Sequence, residues 1–454
     1  LDEECDYQPT PKRVMAIDDL IVDPFIKNSQ KWETNKSGGI ALRYILMFEK
    51  YFARHYQGRK GVVLNEHEAI NGKGAMVPMN MKTSPGIWST YFHNGKKEIF
   101  SSLPEKVLDG VLQPLEYEFS TKAKYHVLPE YNSSFYDLIL AKEKDMKVGK
   151  IPAFPFISTL KDELKAKEKC EQGKVRVFEQ SSLDFVFLCR KYFGDFIDWY
   201  KGNAGFKYYH GIGRDVDGVW EQYATGLGSN STFGHSFDYK NFDGSVPKEC
   251  YTFFKRVTDT FYGMDSENMF VRHCIIDNLQ NSLHIMGSYC FESTQGNKSG
   301  NAFTDVFNSI SNTFLIWTTF ISWQIQHGDH PNLVDFDKNI RMLTYGDDVV
   351  MTVNKRLIDE GYDAHFIREV LDELGVTITS ADKDKDLEKY QLFEQLSFLK
   401  RPFVYDSEFD VWKAPLPIKD ILKEIKYRPK KCMNIVDDIP QRLINVQRFL
   451  AHHS

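Results

Sequence analysis

The stretch Leu343-Thr344-Tyr345-Gly346-Asp347-Asp348-Val349-Val350-Met351-Thr352-Val353 constrains this chain more than any other. Apolar residues on both sides read as two short strands, and Gly346-Asp347 between them is hairpin turn chemistry. Such a hairpin projects two adjacent carboxylates, Asp347 and Asp348, from the edge of a sheet. Side by side they repel, and a divalent cation is the usual relief. A solvated turn with one extra Asp is the plainer alternative. The neighbouring segments decide between the two.

At 454 residues the chain is long enough for two or three subdomains around sizeable cores. Its formal charge of −6 means that a polyanion partner must be met by a local basic groove, which argues against a tail-type nucleic-acid binder. The seven cysteines (Cys5, Cys170, Cys189, Cys250, Cys274, Cys290 and Cys432) are scattered, with no CxxC pair. Neither a zinc ribbon nor a disulfide framework is indicated, and reduced cytosolic thiols are the simplest reading. The apolar run near Thr313 to Trp323 is too short and too polar to span a bilayer. The chain starts at Leu1 without a signal peptide, which reads as a processed product or a trimmed fragment.

Taken in order, Ala41 to Arg54 is the firmest early helix. Met81-Lys82-Thr83-Ser84-Pro85-Gly86 is a loop with hydroxyls that suit a phosphate, although a plain turn has the same composition. From Lys161 to Arg176, Lys161, Lys165, Lys167, Lys169, Lys174 and Arg176 alternate with Asp162, Glu163, Glu168 and Glu171. By itself this reads as a solvated, salt-paired helix face. Ser181 to Tyr200 follows as a buried helix opened by a Ser cap. Phe237-Asp238-Tyr239-Lys240-Asn241-Phe242-Asp243 reads as a strand end and turn, before a helix that Ser245 and Pro247 help to start. Asp238 and Asp243 are then available to one cleft. Gln295-Gly296-Asn297-Lys298-Ser299-Gly300 is a loop feeding a helix from Asn301 to Trp323, with Thr304 and Asn308 on one helix face and Ser299 before it. Its glycines Gly296 and Gly300 suit flexing or close approach. Asn354 to Gly375 reads as one amphipathic helix and Val376 to Thr379 as a strand. Ala381-Asp382-Lys383 lies in a charged loop, Phe398-Leu399-Lys400-Arg401 at another strand turn, and one or two short helices close the chain. There is no GxxxxGK[ST], no GxGxxG after a strand and no HExxH, and His327, Asp329 and His330 read as a polar loop.

In this order and spacing the segments resemble the RNA-dependent RNA polymerases of picorna-like positive-strand RNA viruses. Asp238-x4-Asp243, Ser299-Gly300-x3-Thr304-x3-Asn308 and Tyr345-Gly346-Asp347-Asp348 are similar to the family's first three palm motifs. Lys383 resembles the fourth and Phe398-Leu399-Lys400-Arg401 the fifth. The Lys161 to Arg176 segment is similar to the basic fingers motif, and Thr83-Ser84-Pro85-Gly86 to the template-entry loop. The resemblance implies an α+β right hand of fingers, palm and thumb, with an antiparallel palm sheet and helix-rich fingers and thumb. Fingers would span residues 1–225, with an insertion at 250–290. Palm would span 226–249 and 291–404, and a short thumb 405–454.

The implied function is template-directed RNA synthesis from NTPs, primed by a tyrosine of a small genome-linked protein. It would use two Mg²⁺ ions about 4 Å apart, with Mn²⁺ as a substitute. Asp238 and Asp347 would bridge the metals, with Asp348 as an outer ligand. Asp243, Ser299 and Asn308, supported by Thr304, would read the ribose 2′-hydroxyl, because a site built to bond a hydroxyl rejects the analogue lacking it. Lys161, Lys165, Lys169, Lys174 and Arg176 would line the NTP channel, with Arg176 over the nucleotide. Lys383 would serve as general acid for pyrophosphate. Thr83, Ser84 and Gly300 would contact template RNA, and Lys400 the primer. The expected setting is the host cytoplasm, in replication complexes held to membranes by other replicase proteins.

Lys165 stands where many relatives carry Arg, and the stretch after Arg401 is shorter than most thumbs. The rival readings are a reverse transcriptase, which would put a bulky aromatic where Asn308 and Ser299 stand, and a non-catalytic RNA-binding scaffold, which has no use for the carboxylates.

Overall fold

A computed structural model describes residues 42–90, 133–161, 163–263, 266–287, 289–381, 385–426 and 435–453, with the short pieces 7–9, 15–17, 20–22, 96, 99–102 and 125–127. In chain order, the elements that position the site begin with α1 (Leu42–Ala53), β1 (Phe156–Leu160), β2 (Val177–Gln180), α2 (Leu183–Gly202) and α3 (Val216–Gly228). β3 (Phe233–Tyr239), α4 (Lys248–Tyr262), α5 (Ser266–Gln280), β4 (Ser282–Met286), β5 (Tyr289–Ser293) and α6 (Thr304–Gln326) follow. Then come β6 (Ile340–Tyr345), β7 (Asp348–Val353), α7 (Ala364–Glu373), β8 (Ile378–Ser380), β9 (Gln391–Leu392), β10 (Ser397–Phe398) and β11 (Arg401–Pro402). Two hairpin strands, Val404–Asp406 and Val411–Lys413, and the helices Ile418–Lys426 and Ile435–Leu450 close the order. That hairpin was not expected from the sequence.

The chain divides into two interleaved compact units. The first takes Leu1–Asn203, Asn241–Phe314 and Glu373–Val376. Its four-stranded sheet runs β5-β4-β1-β2, with β1 parallel to β4 and the other pairs antiparallel. In α1 the apolar residues Ile45, Phe48 and Phe52 recur at helical spacing and are buried, while Arg43 and Lys50 face water. The buried rings of Phe48 and Phe52 meet Phe253 of α4 edge-on, at centroid separations of 6.4 and 6.1 Å. Helix α2 is almost wholly buried, as its apolar content requires. Ser182 stands at its N-cap position but makes no side-chain capping bond. The Leu183 N–H donates to Pro85 O at 3.1 Å instead, so the expected Ser cap is replaced by the backbone of a distant loop.

The second unit takes Ala204–Lys240, Leu315–Asp372 and Thr377–Ser454. Its antiparallel sheet runs β6-β7-β3-β8, and β9 also pairs with β3. Behind it, Trp220, Tyr223 and Leu227 of α3 pack with Leu343, Val350, Phe393, Phe398 and Phe403. The outer strand β6 is not left open. Gly211 N–H donates to Thr344 O at 2.9 Å and Thr344 N–H to Tyr209 O at 2.8 Å, so a loop covers that edge. The single helix expected over Asn354 to Gly375 is broken into Lys355–Asp359 and α7. Gly361 turns left-handed (φ +98), which drops Tyr362 into the core. Asp363 then caps α7, accepting from the N–H groups of His365 and Phe366 at 3.0 and 3.1 Å.

The Trp220 and Phe403 rings stack with centroids 4.6 Å apart, and Trp220 is fully buried. Trp220→Ala should therefore destabilise this unit by about 3–5 kcal/mol in equilibrium urea unfolding. A loss below about 1 kcal/mol would show that this cluster does not hold the sheet to α3.

Candidate active site

The acidic centre is built by strand register. β6 and β7 form the expected hairpin, with Tyr345 opposite Asp348 and a two-residue turn of Gly346 and Asp347. Gly346 has φ +66, as the first position of a primed hairpin turn requires. β7 pairs with β3 so that Val349 faces Phe237. One step further along that register, Asp348 stands opposite Asp238. On its other side Asp238 pairs with Thr379 of β8. Directly opposed residues of neighbouring strands share a face, so two like charges stand side by side there. Asp347 is exposed at the turn, and Asp238 and Asp348 are half-buried. Burial, then the charges of Asp347 and Asp238, push the Asp348 carboxyl up to about 6, with Lys400 acting against them.

The donor set suits a hard divalent cation, since every group is a carboxylate oxygen. Among the described residues no His, Cys, Asp or Glu cluster forms a ready-made cage. Mg²⁺ needs none, because it retains waters and takes only one or two carboxylates beside substrate phosphates.

Lys400 lies in the turn between β10 and β11, where Phe398 pairs with Arg401. Leu399 and Lys400 both adopt left-handed backbone, φ +54 and +62, at a cost of roughly 1–2 kcal/mol each. The turn is held from its base. Arg401 is buried and donates from Nη1 to Ala414 O at 2.6 Å.

The first unit carries Asp243, Ser299, Thr304 and Asn308. Asp243 lies on the helical turn Phe242–Ser245, and Asn308 on α6 donates Nδ2 to its Oδ1 at 3.0 Å. Thr304 Oγ1 donates to Ser299 O at 2.9 Å, tying the loop to the start of α6. Ser245 does not start α4 with a cap, because its hydroxyl donates back to Phe242 O. Two residues without an assigned role from sequence complete the loop. Asn297 is buried and donates to Asn308, and Lys298 is buried and donates to the carbonyls of Gln295 and Gly296 at 2.7 and 3.1 Å. Their signal was their place in the Gln295 to Gly300 loop, which alone cannot say which side chains turn inward.

The basic segment is not the helix face its charges suggested. It runs as a strand, Leu164–Ala166, and a short helix, Lys167–Glu171, closed by Lys161 N–H donating to Arg176 O at 2.9 Å. Glu163 collects two of its cations, with Arg176 Nε at 2.8 Å and Lys165 Nζ at 3.4 Å. Burial raises the Glu163 carboxyl, but the Arg176 hydrogen bonds and the charges of Arg176, Lys165 and Lys161 outweigh it and hold it below the usual range. Lys161, Lys169, Lys174 and Arg176 are exposed, and Lys165 is half-buried. In the Thr83-Ser84 loop, Thr83 donates to Asn80 O at 2.9 Å and accepts from the buried Lys96 Nζ at 2.6 Å. Burial, with the nearby charge of Arg190, brings the Lys96 ammonium down to about 8. Ser84 accepts from Gly86 N–H at 3.2 Å, and its hydroxyl proton has no acceptor among the described residues. Lys383 lies outside the described residues.

The family described as viral RNA-dependent RNA polymerase matches residues 3–454. The chain belongs to that family. Among relatives of this chain, the genome polyprotein of human rhinovirus 16 is 31% identical over 301 residues, which is 65% of this chain and 13% of the polyprotein. The replicase polyprotein of acute bee paralysis virus (strain Rothamsted) is 29% identical over 310 residues, 66% of this chain and 16% of the polyprotein. The genome polyprotein of rice tungro spherical virus (strain A) is 27% identical over 421 residues, 89% of this chain and 12% of the polyprotein. The chain thus spans between 12% and 16% of the length of these three relatives. The solved Sicinivirus 3Dpol RNA dependent RNA polymerase superposes with a TM-score of 0.73 at 19% identity, over 98% of this chain and 87% of that one. The polymerase fold expected from the motifs is therefore present, a mixed α+β right hand.

Gly300 has no room for a side chain, because a Cβ there would stand 1.9 Å from Glu179 O on β2. It also bridges Gln180 in parallel. Gly300→Ala must push the loop off β2, at an expected cost of about 2–3 kcal/mol in denaturant unfolding. An alanine variant as stable as the parent would mean that the loop is free to leave β2.

Proposed function

We propose that this viral polymerase copies RNA from an RNA template, extending a primer 3′-hydroxyl with NTPs in a divalent-cation-dependent nucleotidyl transfer. The observation that carries the proposal is the register-matched pair Asp238 and Asp348, with Asp347 in the adjoining turn. Such opposed carboxylates destabilise a sheet unless a cation neutralises them.

Asp238 and Asp347, with Asp348 beside them, would hold Mg²⁺ or its substitute Mn²⁺. When bound, the cation supplies charge for the phosphates and lowers the pKa of the attacking hydroxyl. Asp243 keeps Oδ2 without a hydrogen bond among the described residues, so that oxygen can accept from a ribose 2′-hydroxyl. Asn308, Ser299 and Thr304 complete that reading. Lys161, Lys165, Lys169, Lys174 and Arg176 would neutralise the triphosphate, with Glu163 holding Arg176 and Lys165 ready. Ser84 would donate to a template phosphate, while Thr83 and Gly300 shape the loops that approach RNA. Lys400 would contact the primer backbone, and Lys383 would protonate the departing pyrophosphate. In this reading the fingers comprise residues 1–225 and 250–290, the palm 226–249 and 291–404, and the thumb 405–454.

Initiation on a tyrosine of a small genome-linked protein follows from family resemblance. So does work in host cytoplasmic replication complexes, reached through other replicase proteins. No helix among the described residues is long and apolar enough to cross a membrane.

The test is extension of a short RNA template–primer, with NTPs or dNTPs, in Mg²⁺ and after EDTA. Wild type should extend with NTPs and stop on chelation. Asp347→Ala should lose about 100- to 1,000-fold in rate while still binding RNA. Undiminished extension by Asp347→Ala would sink the proposed metal site, and a preference for dNTPs would favour a reverse transcriptase. Separately, Lys400→Asn keeps a residue that tolerates left-handed backbone but removes the charge. It should leave stability unchanged within about 0.5 kcal/mol. The salt dependence of template–primer binding should flatten by roughly one unit of slope. An unaltered slope would remove Lys400 from the primer contact.

A further inference from the structure

We infer that Asn297 is a positioning residue for ribose selection, the middle of an amide relay that fixes how Asn308 and Asp243 present themselves to the sugar. The inference rests on the proposed reading of the 2′-hydroxyl by those two residues.

The relay has a direction, and both ends dictate the same one. At the outer end Asn301 Oδ1 accepts from Phe303 N–H at 2.9 Å, which leaves Nδ2 to donate. It donates to Asn297 Oδ1 at 3.0 Å, and to Lys298 O at 2.7 Å. Asn297 Nδ2 then donates to Asn308 Oδ1 at 2.7 Å, with a longer approach to Thr304 O at 3.5 Å. Asn308 Nδ2 donates to Asp243 Oδ1 at 3.0 Å. At this inner end the partner is a carboxylate, which only accepts. A flipped amide anywhere in the series would set acceptor against acceptor in a buried place, since Asn297 is wholly buried and Asn308 nearly so.

Asn297 also holds Asp243 through the backbone, its N–H donating to Asp243 O at 2.6 Å. It thus touches both sugar-reading residues, one by side chain and one by main chain. Its loop is pinned in turn, with Gly296 O accepting from Tyr251 Oη at 2.6 Å and from Lys298 Nζ at 3.1 Å. The result is a single presentation: Asp243 Oδ1 occupied, Oδ2 turned over to whatever hydroxyl arrives. A hydroxyl can donate to it and a 2′-hydrogen cannot, so discrimination depends on the relay staying in one state.

Asn297→Asp tests this directly, because it is isosteric and keeps the acceptor for Asn301, yet it sets an acceptor against Asn308 Oδ1. The measurement is kcat/KM for an NTP against its 2′-deoxy analogue on the same template–primer, with thermal melting as a check on folding. Asn297→Asp should lower the NTP preference roughly tenfold, chiefly through a higher KM for the NTP, with dNTP use nearly unchanged. In an Asn308→Ala background the same change should lower the ratio no further. If Asn297→Asp fails to fold, Asn297→Ala decides by the same ratio, with about a threefold loss expected. A ratio within about twofold of wild type in a folded variant, while Asn308→Ala lowers it, overturns the inference. If Asn308→Ala also leaves the ratio unchanged, the ribose reading beneath it fails first.

Discussion

Mutual repulsion between carboxylates is the constraint from which the second unit is best understood. A sheet left to local preference would not set Asp348 beside Asp238, with Asp347 in the adjoining turn. It does so because the apolar residues of β3, β6 and β7 fix the register, and a slip by one residue would turn every core side chain outward. Burial of Leu343, Val350 and their partners against α3 thus opposes the repulsion at the strand ends. Burial first, and then the charges of Asp347 and Asp238, raise the Asp348 carboxyl at that place.

The first unit solves a different problem, holding polar groups in one orientation. Lys298 is buried and donates its ammonium to carbonyls and a hydroxyl, including Gln280 O and Ser293 Oγ, each at 3.4 Å. Gly300 allows the same loop to touch β2 closely. Rigid support of this kind is what a site needs when it must tell two substrates apart by one hydroxyl.

Local chemistry was legible in the sequence, and long-range partners were not. Gly346-Asp347 declared a hairpin because turn geometry depends on the two residues themselves, and Leu399-Lys400 was recognisable through its motif. The row that joins Asp348 to Asp238 involves strands far apart in the chain, so the sequence offered both carboxylates but not their register. The charged segment after Lys161 looked helical because alternating signs fit i,i+4 pairing, yet Glu163 pairs with Arg176 thirteen residues on, beyond a short strand and a short helix. Gly361 and Asp363 carried a stop and a start signal inside the apparent helix from Asn354 to Gly375. The 3.6-residue apolar spacing on either side concealed both. Asn297 gave no sign of its role, since an Asn in a Gly-rich loop is ordinary turn chemistry until its neighbours are known.

The strand order has a consequence for how the protein is made. β3 needs β7 on one edge and β8 on the other, and β7 follows it by roughly 110 residues, which at ordinary synthesis rates is about 5–20 s. Through that interval the nascent strand has neither neighbour, and its apolar residues and unpaired amides must be shielded by folding of earlier segments or by chaperones. The acidic cluster therefore comes into being only once β7 has been made. Until then no ribosome-bound intermediate holds the assembled charge that would draw a metal ion.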